Sequence, residues 1–432
     1  MKRNILSLIA MLGAVGICAA GETLTVGKAV ELALKNYPTI KQSSSDRDAA
    51  AARLSQKFAA CWPSLDLEGV YARVEPDPTL AFGPLGNLQL YPEDNWDLHA
   101  GLRYTLLDLG RTGSQIDLSA EMLSQAQNAV ELSKSVLSYQ TIQLFYSVLF
   151  LSQQSEVQQK EIDSLTEYMA QTRKKVSFGS ATDFDALTIQ VKLEEAKNAK
   201  ADLDNAFKKT YLQFKKNVGA VSDPKLDGKF FQEKLEVDEK ALIAKALASR
   251  PECVMTKQGE QIARAQLSVA NNSDNPVLFV GGTFGYKNGF LMDIYALQNN
   301  WVINAGVKIP LFDGGRTAGL ESEARASLAS AEFKSRDVEE SVKTEVRQAI
   351  SDLNTGYEKL RAAGLHVKLA EEAMSQANVR FDNGVITNLD LINSETSLAR
   401  ARLFFSQAQY AYVMSVYSLK RAAGVKIWEE LK

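Results

Sequence analysis

The feature that most constrains this chain is that it is written twice. The stretch "LLDLGRTG", Leu106 to Gly113, has a near copy in "LFDGGRTAG", Leu311 to Gly319. Asp108, Gly110, Arg111 and Thr112 correspond to Asp313, Gly315, Arg316 and Thr317, a displacement of 205 positions (108 to 313). The same displacement pairs Gly179 with Gly384, Thr182 with Thr387, Asp185 with Asp390 and Gly219 with Gly424. Upstream it is 213, pairing Pro38 with Pro251 and Pro63 with Pro276. A repeat on this scale means one structural plan used twice. The change in displacement, 213 against 205, puts eight extra residues of the first copy between Pro63 and Asp108.

Each copy reads as a short helix, a proline, a second helix, two alternating segments, a very long helix, a glycine turn and a returning helix. The expected organisation is a signal segment 1–20, a first repeat 21–219, a connecting segment 220–237, a second repeat 238–424 and a tail 425–432. In the first repeat a β-hairpin is expected over 64–107, a long helix over 111–176 and a return helix over 182–218. In the second the matching ranges are 277–310, 315–381 and 387–423. The fold class is α+β, mostly α, with long antiparallel coiled-coil helices and four strands.

The alternating segments carry the first functional information. In "WDLHAGLRYTL", Trp96, Leu98, Ala100, Leu102, Tyr104 and Leu106 fall on one face, and Asp97, His99, Arg103 and Thr105 on the other. A period of two over this length is a strand with one apolar and one polar side. "WVINAGVKIPL" repeats it with Trp301, Ile303, Ala305, Val307 and Ile309 opposite Asn304 and Lys308. Leu65, Leu67 and Tyr71, and their counterparts Leu278, Val280, Phe284 and Tyr286, give the preceding strands the same character. About ten residues is the length of a tilted transmembrane strand, and Trp96 and Trp301 sit at strand ends, where interfacial aromatics belong. Four strands cannot close a barrel, and open edges cannot lie in lipid. Three copies would supply twelve strands and two would supply eight.

From Thr112 to Lys175 the chain has no proline and one glycine, Gly113. Ile116, Leu123, Val130, Leu137, Leu144 and Leu151 recur every seven residues. Ser119, Ala126, Ser133, Gln140 and Ser147 follow three residues after the first five. That is a coiled-coil seam with close approach between neighbours. The repeated phrase then has a local meaning. Asp108 and Asp313 can cap the long helices, and the glycines allow a tight corner.

Lys2 and Arg3, the apolar run Ile5 to Ala14 and the small residues Cys18, Ala19 and Ala20 make a secretory signal cleaved after Ala20. Loss of Lys2 and Arg3 takes the net charge from -3 to -5, and there is no basic block, so no nucleic-acid partner is expected. Ile17 before Cys18 is larger than a lipid-attachment site prefers. No other run approaches the ~20 apolar residues of a spanning helix. Cys61 and Cys253 are read as two buried thiols rather than a disulfide. With two histidines, His99 and His366, in different elements, and no zinc spacing, phosphate loop or nucleophile elbow, no enzyme, metal site or cofactor is expected.

On the duplicated order of elements, the "GRT" junctions and the turn motifs "VSFGSATDFDAL" (Val176 to Leu187) and "VRFDNGVITNLDLINSE" (Val379 to Glu395), the chain resembles the TolC-type outer-membrane efflux proteins. The resemblance covers essentially the whole mature chain. It implies a homotrimer, with a twelve-stranded β-barrel in the outer membrane and a twelve-helix α-barrel across the periplasm, belted by the short helices and the 220–240 segment. It also implies a periplasmic adaptor and an inner-membrane pump as partners, and an efflux or type I secretion role.

For single residues, the resemblance implies a gate or pore constriction at Asp390, Asn393, Asp185, Phe381 and Ile386. Adaptor contacts are implied at Phe178, Gly179, Ser180, Asn383, Gly384 and Val385. This chain departs from the family pattern where Asn393 replaces a second aspartate, Ile386 an arginine and Phe381 a tyrosine, which implies a weaker acidic ring and a different latch. The alternative to a channel is a periplasmic coiled-coil scaffold or the adaptor itself. The sequence does not name the cargo or the pump class.

Overall fold

The computed structural model describes residues 23–76, 79–81, 83–219 and 223–431. The signal segment and Cys18 lie outside the described residues. The elements follow the duplication. In the first copy they are β1 (Thr23–Thr25), α1 (Val26–Asn36), α2 (Pro38–Ala59), β2 (Ser64–Arg73), β3 (Thr79–Ala81), β4 (Asn87–Gln89), β5 (Asp94–Leu107), α3 (Arg111–Ser177) and α4 (Asp183–Val218). After β6 (Lys225–Asp227) come α5 (Glu239–Ser249), α6 (Pro251–Asn271), β7 (Val277–Lys287), β8 (Gln298–Lys308), α7 (Arg316–Asp382), α8 (Asn388–Ala422) and α9 (Ile427–Glu430). The eight extra residues of the first copy fall in the β2–β5 connection, which carries the small β3–β4 hairpin; the β7–β8 connection has no counterpart.

The chain divides into two compact units. One comprises 43–129 and 254–338; the other comprises the chain up to Gln42, Val130–Cys253 and Glu339 onward. The first holds an antiparallel sheet in the order β2-β5-β7-β8. Its register brings the apolar side chains together: Leu65 opposite Leu102, Leu67 opposite Ala100, Tyr71 opposite Trp96, Ala100 opposite Phe284 and Phe284 opposite Trp301. Such a face should pack against something, yet no described residue of the protomer covers it. Leu67 is 77% exposed and Ile303 78%. The Tyr71 and Trp96 rings meet at 4.7 Å between centroids. β5 runs to 14 residues, pairs with β2 on one side and β7 on the other, and carries a register shift between Thr105 and Leu107. β2 and β8 each have one unpaired edge.

The opposite face of the sheet is polar. Asp97 Oδ1 lies 2.9 Å from His99 Nδ1 and accepts from it in the tautomer that protonates that nitrogen, Glu68 lies 3.6 Å from Nε2, and Lys287 Nζ lies 3.3 Å from Asp97. Asp66, Arg103 and Asn304 share this side of the sheet.

The second unit is built on aromatic packing. Phe145, Tyr146, Phe214, Tyr417, Val30, Leu24 and Ile427 form a buried core, and the parallel β1–β6 pair lies beside it. Burying each large side chain stabilises by ~1.5–3 kcal/mol. The described part of the connecting segment, 223–237, is thus tied in by β6, and that of the tail, 425–431, by Ile427 of α9. Tyr412 Oη accepts from the Leu235 amide and donates to the Glu233 carbonyl, fixing the chain that crosses α8.

On the α3 seam, Ser119, Val130 and Leu137 are buried, Leu144 and Leu151 half-buried, and Gln140 exposed. Cys253 is buried, whereas Cys61 is exposed, contrary to the sequence expectation. Cys61 falls in the turn after α2, past the last residue that shares a helix face. Among the described residues no helix is long and apolar enough to cross a membrane.

Candidate functional site: the turns between long and return helices

α3 and α7 each have 67 residues, about 100 Å at ~1.5 Å per residue. Both end in the same way. Gly179 and Gly384 adopt φ of 72° and 70°, a left-handed conformation that glycine takes without steric cost. The Ser180 amide donates to Lys175 O and the Gly179 amide to Val176 O, both at 2.9 Å. In the second copy Val385 donates to Arg380 O at 2.8 Å and Gly384 to Phe381 O at 3.0 Å. These paired bonds satisfy carbonyls that a helix end would otherwise leave open.

The return helices start identically too. Thr182 and Thr387 accept from the amides of Asp185 and Asp390 at 3.2 Å. Each aspartate Oδ2 accepts from its threonine amide at 2.9 Å and from its hydroxyl at 2.7 Å. This reciprocal box saturates the first amides of a helix. The bonds from Thr182 hold Asp185 below the usual carboxylate range, and those from Thr387 do the same for Asp390. One oxygen of each carboxylate is therefore committed to the cap, and one remains to face solvent. Among the described residues neither aspartate has an ion-pair partner, and the structure does not bring the two together.

The remaining sequence-derived positions separate by environment. Phe178 and Val385 are highly exposed turn tips, and Ser180 and Asn383 are exposed beside them. Asn393 is exposed on α8. Phe381 and Ile386 instead pack on a cluster of Met374, Ala377, Leu391 and Leu398. The Lys175 ammonium stands 3.9 Å from the Phe381 ring centroid.

Sequence reasoning missed a buried acid. Glu395 lies among the helices near this end, where burial pushes its carboxyl up, with Ser164 and Arg402 pulling the other way. Burial also raises Glu161, whose charge is opposed by Glu395. Tyr168 is pushed up to about 12 by burial and by the carboxylates of Glu395 and Glu167. The signal was present: Leu391, Glu395 and Leu398 share one helix face, so a glutamate stood in an apolar series.

At the other end of the long helices, Asp108 accepts from the Gly110 and Thr112 amides at 3.2 and 2.7 Å. Asp313 accepts from Gly315 and Thr317 at 3.0 and 2.8 Å, and from the Thr317 hydroxyl at 2.6 Å. Gly110 and Gly315 take φ of 93° and 84°. Among the described residues no group of three or more His, Cys, Asp or Glu side chains is placed to hold a metal ion.

A four-stranded sheet with an uncovered apolar face, joined to helices of this length that end in two matched turns, defines the class of outer-membrane export channels. The chain belongs to the outer membrane efflux protein family, whose model matches residues 29–220 and 242–425. Outer membrane protein TolC of Vibrio cholerae is 22% identical over 404 residues, covering 91% of this chain and 89% of that protein. Outer membrane protein OprJ of Pseudomonas aeruginosa is 21% identical over 411 residues, covering 93% and 84%. The CmeC outer membrane channel of Campylobacter jejuni superimposes with a TM-score of 0.80 at 17% identity, over 92% of this chain and 85% of that one. The protein is an efflux channel of the outer membrane.

Proposed function

We propose that three copies of this chain close into one continuous export duct that works passively, with no catalytic step of its own. The observation that carries this reading is the sheet: its apolar face lies open along all four strands, and β2 and β8 are left unpaired at its edges. A four-stranded open sheet cannot remain in lipid, because unpaired amides and carbonyls are costly there. Closure by three copies pairs each β2 with a neighbour's β8 and gives twelve strands.

The polar face with Asp97, His99 and Arg103 then lines water. The turns around Gly179 and Gly384 meet a periplasmic adaptor through Phe178, Ser180, Asn383 and Val385, and an inner-membrane pump supplies the energy. The free oxygens of three Asp390 carboxylates form a ring that favours cations, beside Asn393, with Asp185 on the neighbouring turn. Phe381 and Ile386 act from within the cluster they occupy, holding the turn rather than lining the passage.

The test is the mass of membrane-extracted protein in detergent by native mass spectrometry. Three copies support closure. A protein recovered without detergent as one or two copies would remove the duct and leave a periplasmic scaffold.

A further inference from the structure

The repeated phrase contains one residue that its local role leaves unused. Asp108 and Asp313 cap the long helices, and Gly110 and Gly315 turn the corner. Arg111 and Arg316 are the first residues of α3 and α7. A cation there opposes the helix dipole, whose positive end lies at the N-terminus. Neither guanidinium makes a hydrogen bond or ion pair with any described residue, although Asp313 feels the charge of Arg316. The capping oxygens are already engaged with backbone amides. Two unpartnered cations in equivalent, intrinsically unfavourable positions, Arg316 exposed and Arg111 half-buried, call for an external anion.

Their surroundings say which one. Ser64, Leu107, Val277 and Lys308 end the four strands on one side of the sheet. Just beyond that edge lie Trp62, Leu109, Leu311 and Phe312, all exposed; Trp62 is 75% and Phe312 91% accessible. The Asn275 amide donates to the Leu109 carbonyl at 2.8 Å, holding one arginine's corner against the strand entry. Leu109 precedes Arg111 by two positions and Phe312 precedes Arg316 by four (109 to 111, 312 to 316), so along the chain this exposed apolar collar ends at the arginines. Apolar and aromatic groups followed by an unpartnered guanidinium match the step from acyl chain to phosphate at a bilayer surface.

We propose that Arg111 and Arg316 bind the headgroup phosphates of phospholipids at the periplasmic edge of the outer membrane. The collar of Trp62, Leu109, Leu311 and Phe312 seats against the adjoining acyl chains. This sets the depth of the sheet in the bilayer twice per chain.

The proposal rests on the sheet lying in lipid, and the experiment separates the two. The full chain is extracted in detergent, titrated with dioleoyl phosphatidylglycerol, and its bound lipid counted by native mass spectrometry. Variants are Arg111→Gln, Arg316→Gln, their combination, the corresponding lysine pair, and Arg264→Gln as an exposed control on α6. Each glutamine should weaken lipid retention about fivefold, the effect of one basic residue near an anionic surface. The lysine pair should keep most of it, since an ammonium still binds phosphate as a point charge. Arg264→Gln should match the parent. Inorganic phosphate at equal concentration should not displace the lipid, because it lacks the acyl chain.

Equal lipid counts in the double glutamine variant and the parent would overturn the proposal while leaving the channel intact. So would an equal loss in Arg264→Gln, or displacement by inorganic phosphate. A protein recovered without detergent would overturn the membrane reading and this proposal with it.

Discussion

The ammonium of Lys175 lies 3.9 Å above the ring of Phe381, so the last turn of α3 touches the last turn of α7. This contact joins the two copies of the repeat next to both turns. A cation over an aromatic face at a solvent-accessible site contributes about 0.5–1 kcal/mol. Phe381→Leu should therefore speed amide hydrogen exchange at Asn383–Val385 by roughly two- to fivefold. Lys175→Met should do the same, and the double variant should add little. Two full, additive effects would show that the residues act separately.

The two roles of Asp390 can be told apart by choice of substitution. Asp390→Asn keeps an oxygen that can accept from the Thr387 amide but removes the charge. Asp390→Ala removes both. Both variants should shift reversal potentials in planar bilayers toward lower cation selectivity, and only Asp390→Ala should also lower the Tm. Unchanged reversal potentials in both would eliminate the carboxylate ring.

Glu395 gives a pH dependence with a definite sign. Burial raises its folded-state pKa above the ordinary value of 4.5. A carboxyl raised in the fold contributes stability that is fully present below its unfolded pKa and is lost as pH rises through the folded pKa. Glu395→Gln stays neutral throughout, so it should raise the Tm by a few degrees at pH 7.5. The gain should shrink on acidification and vanish near pH 4.5, the ordinary glutamate value. Melting curves across that range are the check; a gain that grows toward acid would mean the charged form is the favoured one.

Leu102 sits at mid-strand on the apolar face, opposite Leu65 on one side and Gly282 on the other. Leu102→Arg places a charge where lipid is expected, at a cost of ~2–4 kcal/mol near the bilayer midplane. The yield of assembled protein in outer-membrane fractions should fall sharply. His99→Arg, on the opposite side of the same strand, should be tolerated. Equal losses from both would mean that the two sides are not lipid and water.

The order and phase of the elements were readable because the chain states them twice. A residue pairing such as Trp96 with Trp301, or Asp108 with Asp313, shows that the same local physics is at work in both copies. The alternation of Leu98, Ala100 and Leu102 gave the strand faces directly. Contacts made across elements were not readable. Nothing near Lys175 in the sequence indicates that it meets Phe381, 206 positions on (175 to 381). Glu395 was missed although it stands as an acid in an apolar series, and its neighbour Glu161 carried no such signal, since only packing of α8 against α3 brings the two within range. Cys61, read as a buried thiol, lies exposed in the turn past the end of α2, a local placement that the residue type alone does not reveal.

The unequal connections in the two copies have a consequence for whatever meets the cell from outside. The helices and strands repeat closely enough that three chains would present six nearly equivalent units. The 74–93 connection with its added hairpin and the shorter 288–297 connection break that equivalence at the end of the sheet away from the strand-to-helix junctions. In the proposed trimer, a phage fibre, toxin or antibody that recognises the added β3–β4 hairpin would find three copies of it, not six, because the second repeat supplies no counterpart.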